Sequence, residues 1–423
     1  MRKLSTIADV VSAQLCSGCG VCAYMSPDEI EMVDVVDEGR RPRFRKWPSV
    51  DKRSIEAMAA CPGIELTHTF DVNKAGLIKE LIPEWGPVLQ VLEGHASDQK
   101  LRYAASSGGV ASALSLYCIE REKMKGVLHI SARQDIPYLN HTIFSRTRDE
   151  IMTTVGSRYS PASPGEGLKM IEDENGKSVF IGKPCDVAGL SRVRTLRPGL
   201  DKNIGVTISI FCAGTPSLRG TLEMFKKMGI DDISKIKSVS YRGNGWPGKA
   251  AVCIKDGEKE EKREMSYHDS WGTILQKYRP WRCYLCPEHT GEFADVAVGD
   301  PWYRQISDDE QGYSLMLVRT EAGRRIVDGA IAADFIKVKN LDAHILPESQ
   351  KGMVRTRGAV WARLLACRFL HIASPRYHNI PMFDAWRRGL TLRQKLRSFI
   401  GVAKQLIKRR LYKSRGISEY NEK

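Results

Sequence analysis

The chain has 423 residues, 42% of them hydrophobic and 27% charged, with a formal charge of +15. That length and apolar content suit two or three domains with cores of their own and exclude a disordered chain. The longest apolar runs, such as GVTISIFCAG, are about half of the roughly 20 residues a spanning helix needs, so no transmembrane helix is expected.

The opening MRKLSTIADVVSAQL has the positive end of a signal peptide, but Asp9 interrupts its apolar run and no small-residue cleavage site follows. Eleven cysteines, an odd number with close C-x2-C spacings, argue for metal ligation in a reducing, cytoplasmic compartment over a disulfide framework.

The stretch LCSGCGVCAYMSP places Cys16, Cys19 and Cys22 at C-x2-C-x2-C spacing, the signature of an iron–sulfur cluster. Ser26 stands where a bacterial ferredoxin motif puts its fourth cysteine before proline. Cys61, followed by Pro62 after a small-residue helix, is the expected fourth ligand of a 4Fe-4S cluster. Gly18 and Gly20 fit a loop that turns tightly and aims N–H groups at sulfur. A zinc site shares C-x2-C, but three cysteines at two successive x2 spacings crowd one ion and suit three corners of a cube.

YAASSGGVASALSLYCIEREKMKGVLHISA reads as a Ser/Gly turn, a helix to about Lys125 and a strand. Ser106, Ser107, Gly108 and Gly109 sit at the helix start, where unpaired N–H groups and the positive end of the dipole suit a phosphate. Downstream, Gly156, Ser157, Arg158 and Tyr159 offer a cation and an aromatic ring for a nucleotide. Taken alone, a turn like the first is more often only a helix cap, and the second segment also reads as an ordinary loop.

KSVFIG reads as a strand leading into KPCD and a helix with Asp186 as N-cap. NIGVTISIF repeats the pattern, ending in CAGTPS before a helix begun by Thr215 and Pro216 and closed by Gly229. If both strands belong to one parallel sheet, Cys185 and Cys212 share its carboxyl edge, where open α/β sheets build their sites. Cys283 and Cys286 in RCYLCPEH complete a second set of four, for a second 4Fe-4S cluster or a zinc ion. Cys118, Cys253 and Cys367 read as small buried hydrophobes.

The segment from about Leu341 is basic and helical. TLRQKLRSFIGVAKQLIKRRLYKSRG resembles an interfacial helix, with Leu392, Leu396, Phe399, Ile400, Leu406 and Ile407 at roughly helical steps among cations. Membrane-surface contact and protein docking are both open on this pattern. No nucleic-acid motif accompanies the charge, so nucleic-acid binding is not expected. The basic surplus would steer acidic electron carriers such as ferredoxins.

Eight motifs in order, CSGCGVC, SSGGVASAL, VGSRYSP, IGKPCDVAGL, IFCAGTPS, YRGNGWPG, CYLCPEHTGEFADVAVGDPW and SLMLVRTEAG, resemble the beta subunits of coenzyme F420-reducing hydrogenases and formate dehydrogenases. The plant enzyme 7-hydroxymethyl chlorophyll a reductase belongs to the same family. The basic tail is similar to that of bacterial members tied to surface-polysaccharide clusters. The resemblance implies an iron–sulfur flavoprotein oxidoreductase that carries FAD and passes electrons between a ferredoxin-like or deazaflavin carrier and an organic substrate. It implies FAD near Ser106 to Gly109 and Gly156 to Tyr159, with Lys183, the candidate catalytic residue, and Pro184 close to the isoalloxazine. A second role in the family is the electron-transfer subunit of a larger redox complex. The expected architecture is α/β: a ferredoxin-like module over residues 1–72, a flavin-binding core in two parts, 73–170 and 171–340, and a basic helical tail over 341–423.

Overall fold

The computed structural model describes residues 4–45, 51–305, 311–413, 416 and 419–420. Eight strands form one sheet in the spatial order Ile336–Asn340, Gln90–Ala96, Ser314–Val318, Val296–Gly299, Ile204–Ile210, Ser178–Gly182, Val127–Ala132 and Asn140–Ser145. The four strands from Val296–Gly299 to Val127–Ala132 run parallel. The remaining pairings are antiparallel, so the sheet is mixed. The regions 73–170 and 171–340 both contribute strands to it and share one core.

The inner strands read as apolar runs because both their faces are covered. On one face, Val179, Val206 and Ile208 pack with the helices Val110–Glu120 and Glu321–Ala332. On the other, Phe180 and Leu128 meet Val187, Leu190 and Val193 of the helix Pro184–Leu196, and that layer continues into the cysteine-rich N-terminal segment. Gly189 permits this approach: a Cβ there would lie 3.0 Å from Val21 Cγ1 and 3.5 Å from Cys19 Sγ. A larger residue would push the cysteine loop off the sheet.

Three local expectations change. The first helix after the Ser/Gly turn ends at Glu120, before Lys125. Asp186 is not an N-cap: the helix begins at Pro184 with Lys183 as the cap residue, and the Asp186 carboxylate turns back to accept from the Lys183 N–H at 3.1 Å. Proline, pre-set for the first helical position, starts the helix earlier than the aspartate would. Likewise Thr215 and Pro216 remain in the loop and the next helix is Leu218–Lys227, with Ser217 as its cap residue.

The C-terminal segment folds back onto the N-terminal module. Arg376–His378 pairs in parallel with Glu65–Thr67. Val360, Leu364 and Cys367 of the helix Lys351–Phe369 share a core with Cys16, Cys19, Cys22 and Cys61. The Gln14 side-chain amide donates to the Arg409 carbonyl at 3.1 Å. No helix among the described residues is long and apolar enough to cross a membrane.

Candidate functional site

Cys16, Cys19, Cys22 and Cys61 are all buried in the N-terminal module. They lie close together: Cys16, Cys19 and Cys61 act on Cys22, and Cys16 and Cys19 act on Cys61. Backbone N–H groups point at the sulfurs, from Gly18 to Cys16 at 3.4 Å and from Val21, Ala23 and Gly63 to Cys19, Cys22 and Cys61. Gly18 and Gly20 adopt φ of +73° and +87°, the left-handed turns that let a short loop present its amides inward. Ser26 is buried with its hydroxyl unpartnered, and its backbone N–H donates to the Cys22 carbonyl at 3.0 Å.

The structure brings Cys185, Cys212, Cys283 and Cys286 to the wall of one cavity. Strands Ser178–Gly182 and Ile204–Ile210 are parallel neighbours, so Cys185 and Cys212 leave the same sheet edge. Cys283 and Cys286 come in over them from the short helix Trp281–Tyr284 and the turn after it. Cys185 feels Cys212 and Cys286, and Cys212 feels Cys283. The Gly214 N–H points at Cys212 Sγ, 3.3 Å away. Cys118 and Cys367 are buried as expected, whereas Cys253 is only half-buried on its strand.

Burial pushes the Cys19 and Cys286 thiols up to about 11 and Cys212 up to about 12. Cys22 and Cys185 rise further still, also through burial. Ionised sulfur here needs compensating positive charge, which a metal cluster supplies. Two cations, Lys183 half-buried and Arg282 buried, stand beside the quartets and supply part of it. The Lys183 ammonium lies 2.6 Å from Asp186 and acts on both Cys19 and Cys185. The Arg282 guanidinium donates to the Pro62 carbonyl at 2.9 Å and acts on Cys61, Cys185 and Cys286. Its Nε and Nη1 are buried with no hydrogen-bond partner in the protein. Such orphaned donors near the thiols of Cys61, Cys185, Cys283 and Cys286 fit an anionic group held between them. Among the described residues no group of three or more His, Cys, Asp or Glu side chains is arranged to hold a single metal ion.

Two cavities meet at this junction. A small one of ≈ 50 Å³ is lined by Cys16 and by all four cysteines of the second quartet. A large one of ≈ 980 Å³ opens along the sheet's carboxyl edge. Cys212 and Lys183 line both.

Of the residues expected around a nucleotide, Ser106, Ser107, Gly109, Gly156, Ser157, Arg158, Tyr159 and Lys183 line the large cavity. Gly109 turns at φ +76° and the helix Val110–Glu120 opens its N-terminus into the space, with Val110, Ala111 and Ser112 on the wall. Gly108 is not on the wall. It lets the turn pass the sheet, its N–H donating to Ser314 Oγ at 3.0 Å, and a Cβ would strike the Gly94 oxygen at 2.6 Å. Pro184 lines the small cavity instead. The hydroxyls are engaged locally, Ser106 donating to the Arg242 carbonyl and Ser107 to that of Tyr313. Arg158 is committed too, donating to Asn140 Oδ1 at 2.7 Å and to the carbonyls of Val239 and Pro137. Its guanidinium braces the loop from inside, and the amide-rich helix end remains as the anion-facing element of this wall.

Three further features line the wall. Arg242 pairs with both oxygens of Asp300 at 2.7 and 2.8 Å, and its guanidinium lies over the rings of Tyr267 and Trp302. Tyr159 packs on Trp271 at 4.8 Å between ring centroids. His289 is buried on both cavities, with Nδ1 bonded to the Cys212 carbonyl and Nε2 without a partner; burial lowers its pKa to about 4. YRGNGWPG and VGDPW carry Arg242 and Asp300, but 58 residues separate the two and only the fold pairs them.

Comparison with known proteins places this geometry. Residues 91–169 match the family model for the N-terminal part of the coenzyme F420 hydrogenase/dehydrogenase beta subunit, and residues 176–344 match the model for its C terminus. The chain belongs to this family. The beta subunit of coenzyme F420 hydrogenase from Methanococcus voltae is 22% identical over 264 residues, 61% of this chain and 86% of the relative. The beta subunit of F420-dependent formate dehydrogenase 1 from Methanococcus maripaludis is 24% identical over 246 residues, 58% of this chain and 60% of the relative. Coenzyme F420-dependent sulfite reductase from Methanocaldococcus jannaschii is 22% identical over 353 residues, 79% of this chain and 49% of that protein. Among solved structures, a chain of the F420-reducing [NiFe] hydrogenase complex from Methanosarcina barkeri gives a TM-score of 0.47 at 19% identity, covering 64% of this chain and 92% of the other. The named relatives are oxidoreductases or their subunits, and a redox role is the function the family supports.

Proposed function

We propose that this chain is an electron-transfer subunit of a larger redox enzyme, with a four-iron cluster at each cysteine quartet and a flavin, FAD, in the large cavity. The observation that carries the reading is the position of Cys212, on the wall of both cavities, with Cys16 of the first quartet on the wall of the small one. A one-electron carrier at each quartet and a two-electron carrier in the cleft would make a continuous route from the N-terminal module to the sheet edge. The protein's own part is to hold eight thiols in two sets, one buried and one half-buried, to offset their charge with Lys183 and Arg282, and to turn a helix N-terminus toward an anionic ligand. The family match supports the subunit role over an independent enzyme. The aromatic wall around Arg242, which suits a planar ligand, favours a second reading: an enzyme complete in one chain, fed by an acidic ferredoxin-like carrier, that acts on an organic substrate.

Anaerobic purification followed by iron, sulfide, zinc and flavin quantification tests the first reading. About eight iron atoms and one flavin per chain are expected. Cys283→Ser should lower iron by about four atoms, one cubane's content. Zinc in place of iron would reject the redox reading. Steady turnover of a substrate by the isolated chain with an artificial one-electron donor would favour the second reading over the first.

A further inference from the structure

The helix Leu392–Arg409 turns one face to the protein and two to solvent. Ser398 and Val402 are buried, and Leu406 packs against the core that surrounds the first quartet. At about 100° per residue, Leu392, Leu396, Phe399, Ile400 and Ile407 fall on a single arc beside that buried face. All five are exposed, Leu392 at 84% and Ile407 at 74%. Phe369, 68% exposed at the end of the preceding long helix, extends the patch, its ring 6.1 Å from that of Phe399. Next along the helix surface come Arg393, Arg397, Lys404 and Lys408, all exposed. The helix holds six Lys and Arg residues and no Asp or Glu.

The core-facing side of this helix is already filled by other residues, and among the described residues the apolar arc stays exposed. Large apolar side chains ranked on the solvent side, bordered by cations, mark a surface that something covers. We propose that this face docks the protein on an anionic phospholipid surface. Charge selects the occupant. The apolar arc would enter the acyl boundary while the basic flank meets negatively charged headgroups. A second copy of the chain would bring the same cations against one another across the contact. Contact is peripheral, because no helix among the described residues can span a bilayer.

Flotation of the full-length protein with vesicles tests this. One set is phosphatidylcholine alone; the other contains about a third phosphatidylglycerol, both at about 0.1 M salt. The protein should float with the anionic vesicles and not with the neutral ones. Ile400→Glu should reduce binding at least about tenfold, and so should Arg397→Gln with Lys404→Gln, while the circular dichroism melt stays unchanged. Binding of the unmodified chain should also fall at least about tenfold at 0.5 M salt, a reading that needs no variant to fold. Failure to float with anionic vesicles, or equal binding by all variants, overturns the proposal. So does a concentration-dependent dimer abolished by Ile400→Glu without vesicle binding, which would assign the face to a second copy.

Discussion

Arg282 reaches from the second cysteine quartet to the first, donating through Nη2 to the carbonyl of Pro62 at 2.9 Å. The residue before Cys283 is thereby tied to the residue after Cys61, and one buried positive charge serves both sets. Arg282→Met keeps the bulk and removes the charge. The lost hydrogen bond should cost about 2 kcal/mol, read from denaturant midpoints. A positive charge favours the reduced, more negative state of any cluster beside it, so in the variant both midpoint potentials should move negative in a spectroscopic redox titration. Unchanged potentials would separate Arg282 from the quartets.

Cys61 and Ser26 offer a sharp pair of variants. Cys61 sits among Cys16, Cys19 and Cys22, whereas the Ser26 hydroxyl is buried without a hydrogen-bond partner. Cys61→Ala should therefore lose about four iron atoms per chain and retain flavin. Ser26→Ala should retain both. Full iron in Cys61→Ala would break the assignment of the first quartet.

The cysteines were legible in the sequence because ligand spacing is a local pattern and because strand–turn–helix periodicity tells which turns share a sheet edge. Cys185 and Cys212 became candidates from that together with the otherwise unpartnered pair Cys283 and Cys286. What the sequence hid depends on contacts between distant segments. Arg158 looks like a free cation in VGSRYSP, yet Asn140 and the carbonyls of Val239 and Pro137 take up its donors. The basic tail looks like an appendage, yet Cys367 shares a core with Cys16. Helix starts shifted by one to three residues because proline and serine compete for the cap, a balance that local composition leaves open.

The anion-facing wall can be tested without disturbing the hydroxyls that brace it. Ser107 is unsuited, since its hydroxyl donates to the Tyr313 carbonyl at 2.6 Å and an aspartate there would face that oxygen. Ser112 lies in the first turn of the helix Val110–Glu120 and on the cavity wall. A carboxylate at that position stabilises a helix by about 0.5 kcal/mol while repelling a bound phosphate. Ser112→Asp should thus keep or slightly raise the melting temperature and weaken flavin retention at least about tenfold, one pyrophosphate contact being lost. Undiminished flavin would leave this helix end as a cap only.

His129 supplies a pH dependence that does not pass through the cysteines. Its ring is buried in the strand Val127–Ala132, with Nε2 bonded to Ser145 Oγ at 2.8 Å, and burial lowers its pKa from the ordinary 6.5 to about 4. The unfolded chain takes up a proton as pH falls through about 6.5, while the folded chain resists until about 4, so stability drops with acidification across that window and levels off below it. Between pH 7.5 and 5.5 the loss from this one group should be about 1.3 kcal/mol. His129→Leu removes the titrating ring at similar volume. It should be less stable at pH 7.5, because Ser145 loses its partner, yet its urea midpoint should fall less between the two pH values by the equivalent of that 1.3 kcal/mol. Parallel pH profiles for the two proteins would mean that the ring is already solvated in the folded state and that acid sensitivity arises elsewhere.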